Sequence, residues 1–176
     1  MIGRVCAIGP AEPTARPDPT ARRDLTALAA ASLVAAIVVA TVRAAEHFDH
    51  GIWLVAYLLL AGFLAQFLLG HGQAALLRGA GRRPPPARAR RAQLVLWNIG
   101  VIAVPVGVFA DARLAVVVGS VSLLAALASF RASVRAVLAS HASTPGWLRG
   151  GYVVLLSFMA ASVLVGAALA WDIPWL

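Results

Sequence analysis

The sequence predicts an all-α integral membrane protein that crosses the bilayer five times. Of the 176 residues, 61% are hydrophobic and only 12% are charged, whereas soluble globular chains carry about a quarter charged residues. The apolar residues also form five blocks, each close to the roughly 20 helical residues that span a hydrocarbon core about 30 Å thick. The predicted spans are residues 25–42, 51–70, 93–110, 114–130 and 151–171.

A polar tail precedes the first span. Residues 1–24 contain four prolines and no apolar periodicity, which predicts a disordered segment. Because the first apolar block is long enough to cross the bilayer and follows this tail, we expect an uncleaved anchor rather than a signal peptide. The only cysteine, Cys6, lies in the tail, so no intramolecular disulfide is expected.

The distribution of arginine predicts the orientation. All 15 basic residues are Arg, and only Arg43 and Arg113 fall on the side opposite the N-terminal tail and the loops after spans two and four. The positive-inside rule therefore predicts a cytoplasmic N-terminus and an external C-terminus. Arg without Lys, together with abundant Ala, is typical of a GC-rich bacterial genome, so we expect a multi-pass protein of a bacterial inner membrane.

The loop between the second and third spans, residues 78–92, is rich in proline and arginine. Three consecutive prolines favour an extended polyproline II conformation, and the arginines beside them would form a basic arm that contacts anionic lipid headgroups. The alternative is a segment that only fixes orientation. Nucleic acid is excluded as a partner because no aromatic residues interleave with the arginines. The arginines expected to contact lipid are Arg82, Arg83, Arg88, Arg90 and Arg91.

The third and fourth spans are predicted to form an antiparallel hairpin, since only three residues separate them. Asp111 in this turn is expected to cap the following helix, and Pro105 is expected to kink the preceding one. Beyond the fourth span, the helix is expected to continue with Arg131 and Arg135 on one face and to end before Pro145. Small residues four apart in several spans predict close helix packing.

An external cluster between the first two spans is a candidate metal site. On a helix, Glu46, His47 and His50 would face one ion, and imidazole ligands favour Zn, Cu or Fe over Ca or Mg. The alternative is a polar loop in which Asp49 caps the second span and Glu46 pairs with Arg43. A haem ligated by both His50 and His71 within one chain is excluded, because 21 helical residues separate them by about 31 Å; haem held by one ligand, or between subunits, is left open.

Polar residues inside the spans are candidates for an intramembrane contact. Gln66 and Asn98 lie at similar depths in the arginine-rich half, and Ser157 lies in the same half. Buried amides in a bilayer need partners, which predicts a Gln66–Asn98 hydrogen bond between helices. The functional alternative is a pocket for a quinone or a lipid headgroup, with His71 and Gln73 at its mouth.

The sequence predicts no catalytic role and no cofactor, since it contains no nucleotide-binding, nucleophile-elbow or metalloprotease motif. We expect a non-catalytic accessory, assembly or scaffold component that contacts other membrane proteins or further copies of itself. One alternative is a membrane protein that binds a transition metal or haem through the external cluster. A second is a subunit of an oligomeric transporter, which would need several copies because the spans contain no ionisable residues.

Overall fold

The computed structural model describes residues 30–31, 34–35, 37–38, 51–139 and 144–172, and the elements in these ranges are all helical. The first long helix has three consecutive parts: α1, then a π-helical segment, then α2. The bounds are α1 (Gly51–Tyr57), the π-helical segment (Leu58–Ala65), α2 (Gln66–Gly79), α3 (Ala87–Phe109), α4 (Arg113–Ala139) and α5 (Gly146–Asp172).

Among the described residues, four helices are long and apolar enough to cross a membrane, judged by length and composition: Leu54–Gly79, Ala87–Phe109, Arg113–Ala139 and Gly146–Ala168. They correspond to the second to fifth predicted spans. The first predicted span, residues 25–42, lies mostly outside the described residues, and so does the tail of residues 1–24. The six residues of that span that are described are helical and exposed. The structure thus confirms an all-α protein with four apolar helices, whereas the fifth span and the orientation stay predictions.

The four helices extend beyond the predicted spans, and the main extensions lie at one end of the bundle. They comprise residues 71–79 of α2, 87–92 of α3, 131–139 of α4 and 146–150 of α5. We call these four helix ends the arginine collar because they carry Arg78, Arg88, Arg90, Arg91, Arg131, Arg135 and Arg149. The hydropathy pattern ends where arginines begin, but Arg is a good helix former, so the helices continue.

Because α2 and α3 continue into the collar, the extended segment between the second and third spans is shorter than expected. Only Arg82 to Pro86 have neither helix nor turn structure, and α3 begins directly after Pro86. Arg88, Arg90 and Arg91 therefore lie in the first turns of α3 and not on an extended arm. Proline suits this position because it lacks a backbone N–H and its φ is already fixed near the helical value.

Two helices end in a residue with a left-handed backbone conformation. After α2, the N–H of Arg82 donates to Leu77 O at 2.8 Å and that of Gly81 to Arg78 O at 3.0 Å, with Gly81 at φ +63°. This is a Schellman motif, in which glycine takes the left-handed position without steric penalty. After α3, Asp111 takes that position at φ +48°. The carbonyl group of Ala112, directly before α4, accepts from the N–H groups of Ala115 and Val116. Ala112 and not Asp111 therefore occupies the N-cap position of α4, and the expected capping role of Asp111 is wrong.

The closest packing in the bundle is between α3 and α4. A Cβ atom built on Gly100 would lie 2.4 Å from Leu123 Cγ and 2.9 Å from Gly119 O, and one on Gly107 would lie 2.7 Å from Val116 N. Contacts this short require glycine, because any side chain would push the two backbones apart. The predicted hairpin of the third and fourth spans is thus present, with its two helices in backbone contact.

Candidate functional site

The candidate metal residues Glu46, His47 and His50 lie outside the described residues, so the external cluster stays a prediction. Among residues 51–139 and 144–172, no group of three or more His, Cys, Asp or Glu side chains could hold a metal ion.

The predicted contact between Gln66 and Asn98 is not formed. Gln66 is only 2% exposed, yet neither its Nε2 nor its Oε1 has a hydrogen-bond partner. Asn98 Nδ2 instead donates to Leu94 O at 2.8 Å, one turn earlier in its own helix. Ser157 of α5 is exposed. Equal depth along two helices was the basis of the prediction, but depth does not fix which way a side chain faces.

Two further glutamines belong to the buried polar set. Gln73, one of the residues expected at the mouth of a pocket, is 6% exposed, and its Nε2 has no hydrogen-bond partner. Gln93 is also buried, but its Nε2 donates to Ser133 Oγ at 3.0 Å, and Ser133 Oγ donates to Ser129 O at 2.9 Å. Sequence reasoning missed the Gln93–Ser133 bond, since Gln93 stood at the boundary of a predicted span and Ser133 lay outside one.

His71 faces away from this buried set. It is exposed, and its Nδ1 lies 3.0 Å from Phe67 O, a contact that requires the proton on Nδ1. Its ring stacks on Phe67 with centroids 4.0 Å apart, and Phe67 lies 6.0 Å from Phe63 in the same column. These three residues are four apart and share the outer face of the helix. His71 and Gln73 therefore do not form a common mouth.

The π-helical segment and the last residue of α1 contact α3 through two hydrogen bonds to backbone carbonyl groups. Trp97 Nε1 donates to Ala61 O at 3.1 Å, and the Tyr57 hydroxyl donates to Gly100 O at 3.5 Å. The Trp97 ring is buried and packs edge-on against Phe130 at 6.5 Å. Trp97 thus joins three helices, a role that its position a few residues inside a predicted span did not reveal. Segments of π-helix are rare and occur frequently at functional sites.

Helix α5 is held to the bundle mainly near its first turns. The Tyr152 hydroxyl donates to Leu69 O at 3.3 Å, and the Tyr152 ring occupies the space where a Cβ on Gly72 would lie, 2.7 Å away. Tyr152 and Leu156 are the buried apolar residues of α5. Beyond Leu156, its residues as far as Ala168 are exposed or half-buried. Only 11% of its most apolar stretch is buried, against 39% for α4.

The arginines expected to contact lipid lie together at the collar end of the bundle. Arg82, Arg83, Arg88 and Arg91 are exposed and Arg90 is half-buried. The first turn of α3, which contains Arg88 and Arg90 and is followed by Arg91, contains no acidic residue. Arginines at this end add to the positive potential that a helix N-terminus already has, so the surface is suited to anions.

The chain matches no protein-family model, no curated protein and no solved structure.

Proposed function

We propose that this chain is a non-catalytic accessory or scaffold component of a bacterial inner membrane and binds another membrane protein through α5. The observation that carries the proposal is the low burial of α5, which is long enough to cross a membrane but has no buried residue between Leu156 and Ala168, where it contacts the core through the half-buried side chains of Met159, Ala160 and Val163. A helix that contributes little to its own core is available for an interface.

The exposed surface of α5 is suited to close approach by another helix. Cβ atoms built on Gly150, Gly151 and Gly166 would meet nothing within 4 Å, so a partner backbone can come near at these positions. Helices in bilayers associate through such packing, because lipid tails are as apolar as the helices themselves. Phe158 and Val154 on the same helix are 63% and 67% exposed and would supply apolar contact area.

The arginine collar supports an orientation in which this end lies at the cytoplasmic surface. Anionic headgroups attract basic segments there by about 1 kcal/mol for each Arg near the surface. In this proposal Arg82, Arg83, Arg88, Arg90 and Arg91 contact lipid phosphate. Substituting Gln at Arg88, Arg90 and Arg91 should then reduce the anionic lipid that copurifies with the chain, whereas Gln at Arg113, at the other end, should leave it unchanged.

Site-specific photo-crosslinking in native membranes tests the role of α5. A photoreactive phenylalanine analogue at Phe158 is compared with the same analogue at Ile102 of α3, because both positions are 63% exposed. We expect a discrete crosslink to another membrane protein from Phe158 and only lipid adducts from Ile102. Equal labelling at both positions, or lipid adducts alone, would contradict the proposal. A crosslink to a second copy would favour the oligomeric transporter instead.

A further inference from the structure

Two glutamines on one face of α2 are buried without protein partners. Gln66 has no partner at either amide atom, and Gln73 has none at Nε2. At 3.6 residues per turn, their seven-residue separation puts them about 20° apart around the helix and about 10.5 Å apart along it. The remaining buried side-chain atom without a partner in the described chain is Thr144 Oγ1, and Thr144 packs against Gly79 at the end of the same helix.

Buried amides of this kind need an explanation. An amide removed from water without a new hydrogen bond is unfavourable, and most of all in a bundle surrounded by lipid. Nearby donors in neighbouring helices are already used. Tyr152 donates to Leu69, Trp97 to Ala61 and Gln93 to Ser133. The protein itself therefore leaves these amides to be satisfied by a bound molecule.

The position of the three residues indicates the class of that molecule. Gln73 and Thr144 lie at the arginine collar, where the bundle meets headgroups and water, and Gln66 lies deeper, where the π-helical segment ends. The buried polar residues of the described chain are Gln66, Gln73, Gln93, Ser120 and Thr144, all of them uncharged. A neutral occupant that both donates and accepts hydrogen bonds fits this set, because an amide offers both functions.

We propose that Gln66 and Gln73 bind water molecules inside the bundle, forming a hydrated site that is continuous with the arginine collar. Buried waters typically make about three hydrogen bonds to polar groups that the protein leaves unsatisfied. The Gln66 amide offers two such groups and the Gln73 amide one. Because the two residues lie about 10.5 Å apart along α2, separate waters would bind them, each completing its hydrogen bonds with neighbouring waters or backbone carbonyl groups. Hydration would then extend from the collar about 10 Å inward along α2, in the half of the bundle that carries the arginines.

Solid-state NMR of the full chain in lipid bilayers tests hydration directly. Magnetisation is transferred from water protons to the side-chain amide signals, which Gln66→Leu and Gln73→Leu identify by their disappearance. The internal standard is the indole N–H of Trp97, assigned by Trp97→Phe, because this group is buried and its acceptor is Ala61 O. We expect transfer to both glutamines to be several times faster than to Trp97. Transfer to either amide that is as slow as to Trp97 would overturn the proposal.

The sign of a stability change provides an independent test. Methionine is close in shape to glutamine but cannot hydrogen-bond to water, so Gln66→Met and Gln73→Met should each lower the Tm by about 2–4 °C if water is bound. If the amides are dry, methionine removes an unsatisfied group and the Tm rises. An unchanged or raised Tm would therefore overturn the proposal. Gln93→Met, which removes the bond to Ser133, should lower the Tm in either case and shows that the assay is sensitive.

Discussion

Glycines in the α3–α4 hairpin and glycines in α5 have opposite surroundings. A Cβ on Gly100 or Gly119 would lie within 3.0 Å of atoms of the facing helix, whereas one on Gly150 or Gly166 would meet nothing within 4 Å. The glycines of the hairpin lie at the contact between α3 and α4, whereas those of α5 lie on its exposed surface. The difference shows that small residues permit close approach but do not reveal whether the partner helix belongs to the same chain.

The same difference extends to hydrogen bonding. The hairpin is joined to α1 and the π-helical segment by Tyr57 and Trp97, whose polar atoms reach carbonyl groups of neighbouring helices. Helix α5 donates such a bond from Tyr152 to Leu69, while Ser162 on its outer surface donates to its own helix at Phe158. We therefore regard the hairpin as the tightly packed part of the bundle and α5 as a helix whose buried contacts lie near one end.

The largest loss of stability is expected from removing the contact of Tyr152 in α5 with α2. Tyr152→Ala deletes the ring that packs on Gly72 and the hydroxyl that bonds Leu69, and loss of a buried aromatic side chain costs about 3–5 kcal/mol. The free energy of unfolding is measured by titrating the chain from mild detergent into SDS. Val154→Ala is the matched control, since Val154 lies on the same helix but is 67% exposed. Equal losses in the two variants would show that Tyr152 does not hold α5.

A smaller loss of unfolding free energy is expected from adding a methyl group between α3 and α4. Gly100→Ala places a Cβ 2.9 Å from Gly119 O, a backbone atom that moves only if the helices separate, and such overpacking costs about 1–3 kcal/mol. Gly150→Ala meets open space and should be neutral or slightly stabilising, because Ala is favoured over Gly in helices. If both variants unfold at the same SDS fraction, the hairpin is looser than its geometry indicates.

The hydrogen bond from Trp97 to Ala61 O joins the hairpin to the π-helical segment. Trp97→Phe keeps an aromatic ring against Phe130 but removes the donor to Ala61 O, and should lower the free energy of unfolding by about 1 kcal/mol. Asn98→Leu is a useful comparison, since Asn98 donates only to Leu94 of its own helix and its loss should be smaller. A larger loss of unfolding free energy in Asn98→Leu than in Trp97→Phe would show that the bond between helices contributes less than the bond within one helix.

The sequence predicts the apolar helices well because hydrophobicity is a local property. Each of the four described apolar helices covers a predicted span except for Ala110, which follows the end of α3, and the hairpin around Asp111 follows from a loop too short for any other arrangement. The expected continuation of the fourth helix past Arg131 is confirmed, since α4 ends at Ala139. The lengths of the other helices are underestimated at the collar because polar residues and arginines end the hydropathy signal without ending the helix. The π-helical segment was not predicted, since residues 58–65 read as ordinary apolar helix.

Side-chain partners were less predictable because they depend on the rotation of each helix about its axis. Gln66 and Asn98 have similar depths, yet one is buried without a partner and the other bonds within its own helix. The pair that does form, Gln93 with Ser133, lies at the edge of the apolar blocks, where hydropathy does not distinguish a buried polar residue from an exposed one. Spacing along a helix identifies a shared face, as for Gln66 and Gln73, but not what covers that face.

The smallest effect is expected at the turn of the hairpin, where one substitution should raise the free energy of unfolding. Asp111 has φ +48°, a left-handed conformation that disfavours residues with a Cβ, although Asp tolerates it better than most. Asp111→Gly removes this strain and should raise the free energy of unfolding by up to about 1 kcal/mol, whereas Asp111→Ala should lower it. The same SDS titration measures both variants. A loss in Asp111→Gly would mean that the carboxylate contributes more than the backbone strain costs, and the hairpin would then depend on a charge in its turn as well as on glycine packing.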